Sequence, residues 1–261
     1  MNKGLKRIAI IVLFSLFSTL SAQYNAVHYV FMDYTVGVSG QEIVRDQFLL
    51  FNSDESYYLQ PVSKRFNSYN DLFTAYSRLE SFLPIESIYS RIDNFKVFGI
   101  GRLQNEVPFY VDDLPKIEWE IQDSYKEILG YKARLATGFF RGRIYKVWFA
   151  AEIPYSLGPW KLRGLPGLIL EAEDEDGFFK YIVKTILLNN KEELIPKIVQ
   201  YYNTHKNVAI PYSEFVQKQN QEFKIAMSQL LASFPQSGNG GYKPAPLREF
   251  IQEKTFEWEK E

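Results

Sequence analysis

The chain has 261 residues, 46% hydrophobic and 23% charged, with 30 basic against 31 acidic side chains. That composition is too apolar for intrinsic disorder, and a net charge of −1 gives no electrostatic drive toward nucleic acid. The length suits one domain with a sizeable core, and 21 Phe, 18 Tyr and 4 Trp favour pleated, half-buried surfaces.

Residues 1–22 place Lys3, Lys6 and Arg7 before an apolar run from Ile8 to Leu20 and the small pair Ser21-Ala22. This is the order of a secretory signal peptide, and the run is short of the roughly 20 residues that span a bilayer. Cleavage is expected after Ala22, leaving 27 basic and 31 acidic groups in a periplasmic or secreted protein. With no cysteine in the chain, neither a disulfide framework nor a lipid-anchor thiol is expected. No later apolar run is long enough for a transmembrane helix.

The β-forming run Val27–Val36 and the turn residues Gly37 to Gly40 predict a hairpin with Ile43–Phe51, and Asn52 to Ser56 predict a turn into Tyr57–Gln60. Leu72, Phe73, Tyr76, Leu79 and Leu83 recur at helical steps, so 71–83 reads as a short helix ended by Pro84. Strands are expected at Phe95–Ile100, Val107–Val111, Ile117–Ile121, Tyr131–Phe139 and Ile144–Ala151, the last two joined at Arg141-Gly142. Leu168–Glu173 and Phe178–Leu188 form a further hairpin, for which Asp176-Gly177 suggests a tight primed turn. Phe215, Val216, Phe223, Ala226, Met227, Leu230, Leu231 and Phe234 share one face of a helix over 212–234, which is expected to cover the sheet. Residues 235–246 read as a flexible linker, and 247–261 fit a short helix or a strand equally well. The fold class is α+β: a predominantly antiparallel curved sheet, half-barrel or open barrel, in one domain over 23–234.

The most unusual segment is Gly158-Pro159-Trp160-Lys161-Leu162-Arg163-Gly164-Leu165-Pro166-Gly167-Leu168-Ile169-Leu170-Glu171. Pro166-Gly167 fits a type II turn with Gly167 at positive φ, feeding a strand apolar on both faces. Together with Gly130-Tyr131-Lys132, Phe140-Arg141-Gly142-Arg143, Trp148-Phe149 and Glu152-Ile153-Pro154, this segment resembles the GLPGLI family over roughly residues 117–188. The resemblance implies a secreted protein of Gram-negative envelopes with an uncharacterised function, and it brings no catalytic residues. One departure is Ala133, where many relatives carry Cys, so a thiol-dependent role is missing here.

Each search for chemistry meets a plainer alternative. The run Glu171, Glu173, Asp174, Glu175, Asp176 fails the EF-hand spacing, because Gly177 would put Ala172 at the first ligand position and Val183 at the twelfth; a solvated hairpin tip is expected instead. His28 and His205 are too few and too far apart in sequence for a His-rich metal site, and Ser39 and Gly99-Ile100-Gly101 lack the spacing of a nucleophile elbow or a dinucleotide loop. No cofactor is expected. The binding candidates are Arg141, Arg143 and Arg163 for an anionic group, Trp148 and Trp160 for an apolar one, and Leu165, Pro166 and Gly167 at the signature bend. They point to a non-enzymatic protein that binds an apolar small molecule, lipid or peptide segment. The alternatives are a cofactor-free hydrolase assembled from separate strands and an adaptor for an outer-membrane protein.

Overall fold

The computed structural model describes residues 24–35, 43–60, 87–92, 94–190, 202–233 and 248–259. The signal segment 1–22, the turn at 37–40, the helix expected at 71–83 and the linker 235–246 lie outside the described residues.

Twelve strands form one mostly antiparallel, open, curved sheet. In chain order they are β1 Tyr24–Asp33, β2 Ile43–Phe51, β3 Glu55–Leu59, β4 Ile88–Arg91, β5 Lys96–Ile100, β6 Phe109–Asp113, β7 Trp119–Ile128, β8 Tyr131–Phe140, β9 Arg143–Ala150, β10 Leu168–Asp174, β11 Phe179–Asn190 and β12 Ile210–Pro211. The sheet order is β12-β6-β5-β4-β3-β2-β1-β11-β10-β9-β8-β7. Among the described residues only β12 pairs parallel, against β6. The sheet curls enough that Asp112 of β6 meets Arg141 of the β8–β9 turn at 2.7 Å, although these strands lie near opposite ends of the order.

Two-residue turns set the register of the most regular part. Ile128 pairs with Tyr131 and Phe140 with Arg143, so Leu129-Gly130 and Arg141-Gly142 are the linking pairs. All four residues take positive φ, 52° and 83° in the first turn, 43° and 87° in the second, as a type I′ hairpin requires. The Asp174–Gly177 turn differs from the primed turn expected. Gly177 N–H bonds Asp174 C=O at 3.0 Å and Gly177 alone takes positive φ, which is a type I bend followed by a left-handed glycine. β4 had no signal: four residues, two of them Ser and Arg, are too few to show alternation.

The irregular stretch 151–167 runs inside the curl. Ile153, Leu157, Trp160, Leu162 and Leu165 belong to the main core with Val27, Tyr29 and Phe149. A buried loop must satisfy its own backbone. Here Leu168 N–H bonds Ile153 C=O at 3.0 Å, Ile169 N–H bonds Leu157 C=O at 2.9 Å, and Trp119 Nε1 donates to Arg163 C=O at 2.8 Å. β10 then continues between β9 and β11 with Leu168, Ile169 and Leu170 fully buried.

The bend at Pro166-Gly167 is not the type II turn expected. Gly167 does not take positive φ; Gly164 does, at 103°. Gly167 is required for a different reason, since a Cβ there would lie 2.3 Å from the carbonyl oxygen of Ala150, the end of the neighbouring strand β9.

The helix α1, Tyr212–Ser233, does not cover the sheet. Its buried side chains are Tyr212, Phe215 and Val216 in the first turns, while Phe223, Ile225 and Leu231 are exposed. It docks by its N-terminal end against β6 and β12. The segment 248–259 is neither a strand nor an α-helix; it ends in a 3₁₀ turn at Glu257–Glu259. No helix among the described residues is long and apolar enough to cross a membrane.

Candidate functional site

The β8–β9 turn projects two arginines. Arg141 forks onto Asp112, with Nη1 to Oδ2 and Nη2 to Oδ1 both at 2.7 Å, and its Nη1 also reaches Glu253. Lys161, from the interior loop, donates to Asp112 at 2.9 Å and to both oxygens of Glu253 at 2.9 and 3.1 Å. The Tyr212 hydroxyl donates to Glu253 Oε2. Two cations and two carboxylates therefore neutralise one another in a site where side-chain exposure is 7% or less, and a third carboxylate, the more exposed Glu257, meets Arg141 Nη2 at 3.2 Å. Burial alone would raise the Asp112 pKa, but Lys161 and Arg141 together hold it below the ordinary carboxylate value. Burial and the Glu253 charge push the Tyr212 phenol well up, so it stays a donor. Aromatic rings line the cations: Lys161 Nζ is 3.8 Å from the Tyr212 ring centroid, and the Arg141 guanidinium is 5.1 Å from Phe256.

Arg143 clamps the C-terminal segment. It binds Asp174 at 2.6 Å and Asp176 at 2.8 Å, and its guanidinium also donates to the carbonyls of Glu249 at 2.7 Å and Ile251 at 2.9 Å. The N–H groups of Lys254 and Thr255 bond Arg141 C=O, and Lys254 Nζ reaches Asp176 at 2.7 Å. The segment lies so close over the turn that a Cβ on Gly142 would meet Lys254 Cβ at 2.7 Å.

Between this segment and the sheet lies a cavity of about 290 Å³. Its walls include Phe31, Tyr110, Trp160, Phe179, Phe215 and Phe256, all largely buried. Lys161, Glu253 and Tyr212 also border it, bringing the ion-paired cluster to its surface. Asp33, Arg45, Gln60, Arg102, Gln219 and Gln252 add further polar groups.

Of the residues singled out from the sequence, Trp160 lines this cavity, and its ring packs edge-on against Phe140 at 5.6 Å. Arg141 and Arg143 are buried and engaged as above, which leaves them as internal clamps rather than exposed anion readers. Arg163 is buried too, its guanidinium bonding Ser90 Oγ at 2.6 Å and Asn94 C=O at 3.3 Å; burial lowers its pKa to about 10. Trp148 is half-buried outside the cavity lining, with Lys126 Nζ 4.6 Å from its ring centroid. Leu165 and Gly167 are interior packing and Pro166 is exposed, so the signature bend does not border the cavity. The acidic run is not simply a solvated tip: Asp174 is fully buried against Arg143, and Asp176 takes part in the clamp. His28 is buried against Phe48 and bonds Asp46 at 2.7 Å; burial lowers its pKa despite that carboxylate.

The residues missed by sequence reasoning are Asp112, Lys161, Tyr212 and Glu253. They come from β6, the interior loop, α1 and the C-terminal segment, and no spacing rule links them. Lys161 had one usable sign, its position between Trp160 and Leu162 in an apolar stretch.

Residues 141–171 match the model of a family described as "Protein of unknown function (Porph_ging)". No curated protein matches. Among solved structures, the chain is similar to PNGF-II in space group C2, at 18% identity, covering 63% of this chain and 27% of that one with a TM-score of 0.46. It is likewise similar to PNGF-II in space group P21, at 17% identity, 67% and 30% coverage and a TM-score of 0.47. The chain thus spans less than a third of the length of either structure. From Arg141 to Glu171, the stretch that holds the clamping arginines and the interior loop, the chain is similar to the GLPGLI-type family, whose function is unknown.

Proposed function

We propose that the protein is a binding protein, holding an apolar or aromatic group of a small molecule or of a peptide segment in the cavity beneath residues 248–259. The observation that carries this reading is a space of about 290 Å³ lined by aromatic rings and by polar side chains together, with the Lys161–Glu253 pair at its border. Such a space suits a ligand that joins an apolar part to several polar groups. Binding is favoured over catalysis because Asp112, Glu253, Arg141 and Lys161 satisfy one another in a closed set of ion pairs, an arrangement suited to holding shape. The charge order and apolar run of residues 1–22 support an exported, periplasmic or secreted setting for this binding.

The test is native mass spectrometry of the protein purified from its own envelope, followed by extraction and identification of any bound mass. A stoichiometric lipid, small molecule or peptide is expected, with displacement altering the fluorescence of Trp160. Protein that is uniformly empty on isolation, and that shows no fluorescence response to the extracted envelope fraction, would remove the reading.

A further inference from the structure

Among the described residues, five charged side chains border the cavity: Asp33, Arg45, Arg102, Lys161 and Glu253. Lys161 and Glu253 are bound to each other and to Asp112 and Arg141. Asp33 is turned back onto its own chain, its Oδ1 accepting from the Thr35 N–H at 2.9 Å and the Thr35 hydroxyl at 2.6 Å. Arg45 and Arg102 remain. Arg45 stands on β2 directly across from Phe31 of β1, on the same sheet face as that cavity wall, and is half-buried. Arg102 lies two residues beyond the end of β5, and β3 and β4 separate β5 from β2 in the sheet, yet both arginines reach one cavity. Among the described residues neither has an ion-pair or hydrogen-bond partner.

The half-buried Arg45 guanidinium gives up part of its hydration without gaining an acceptor and is left under-satisfied, the exposed Arg102 borders the same space with its fork open, and a carboxylate matches either planar fork better than any neutral group does. Resting on the cavity being a binding site, we propose that its ligand is an amphiphile with a carboxylate beside an apolar body, the carboxylate being held by Arg45 and Arg102 while the aromatic walls take the rest. The two functions are separable on the chain: the clamp arginines Arg141 and Arg143 maintain the fold, and Arg45 and Arg102 select charge.

Calorimetric titration with 1-naphthaleneacetate and its neutral counterpart 1-naphthaleneacetamide separates the possibilities, because the two probes share the apolar body. The acetate is expected to bind about tenfold more tightly than the amide. That preference is expected to vanish in R45Q/R102Q and to return in part in R45K/R102K. The single variants R45Q and R102Q, checked by thermal melts, each lose part of the preference if both arginines act. Equal affinity for the two probes in the wild-type protein, or a preference that survives in R45Q/R102Q, would overturn the anion assignment and leave the cavity reading standing. Binding of neither probe to the wild-type protein would count against the cavity reading itself.

Discussion

Asp112 shows how one residue can be decisive and still invisible in sequence. It is an ordinary aspartate near the end of a short strand, yet both of its oxygens are taken by Arg141 and Lys161 inside the curl. Its pKa in the folded protein lies below the usual 3.8 because those cations outweigh the cost of burial. A carboxyl group depressed in this way stabilises the fold above its unfolded-state pKa, and that stability is lost as the pH falls through the lower folded value. Thermal melts of the wild-type protein are therefore expected to drop in midpoint below about pH 4. In Asp112→Asn the midpoint should be lower at neutral pH and should vary less with acid over that range; parallel curves would show that the cluster does not carry the acid sensitivity. Gly167 is a residue whose importance was legible but whose reason was not. The proline-glycine pair suggested positive φ, whereas the constraint is the neighbouring carbonyl of Ala150 at 2.3 Å from any added Cβ. Because backbone is the obstacle, Gly167→Ala should destabilise by roughly 1–3 kcal/mol in denaturant unfolding. An unchanged midpoint at equal slope would mean that β9 and β10 separate at little cost.

At the scale of elements, alternation and turn residues revealed most strands, because period-two patterns and Gly-containing hairpins are local properties. The helix α1 illustrates where the local pattern misleads. Its apolar face is continuous in sequence, but among the described residues only the N-terminal part of that face is buried: Phe215 stacks on Tyr110 at 5.1 Å and its ring fills the space beside Gly101. Farther along, Phe223 and Leu231 remain exposed. Periodicity reports what a helix can bury, not how much of it the fold reaches. Phe215→Ala should accordingly cost about 3–5 kcal/mol, as truncation of a buried aromatic does, while Phe223→Ser should stay within about 0.5 kcal/mol. Comparable losses at both positions, measured by urea unfolding, would show that the distal half is packed in solution. The C-terminal segment was undecidable for the converse reason. It has no period of its own to read, and its path is set by acceptors it offers to Arg143 and Arg141 from 106 to 116 residues away.

For the whole molecule, the governing feature is that a curved sheet has an interior, and a stretch without regular secondary structure fills it. A sequence pattern predicts that strands exist, but the curl that brings β6 to the β8–β9 turn is a property of all twelve together. This explains why the signature residues are so specific although most of them do not border the cavity: Leu162 and Leu165 are core, Trp160 is core on one side and cavity wall on the other, and the segment must also satisfy its backbone within that core. Irregular surface loops exchange their amide hydrogens quickly, and so do open sheet edges. The interior loop should behave in the opposite way. Leu162 N–H is held by Pro159 C=O at 3.1 Å, and Leu168 and Ile169 by Ile153 and Leu157, so their exchange should require global opening and rank among the slowest in the protein. Along the edge strand β7, residues such as Ile121 and Tyr125 are exposed and the pairing with β8 is interrupted between them. Amides there should exchange orders of magnitude faster despite belonging to regular structure. Hydrogen exchange followed by NMR gives both rates in one experiment. If the loop amides exchange as fast as those of β7, the signature segment does not occupy the interior in solution, and the cavity bounded by Trp160 and Lys161 loses the wall on which the binding proposals depend.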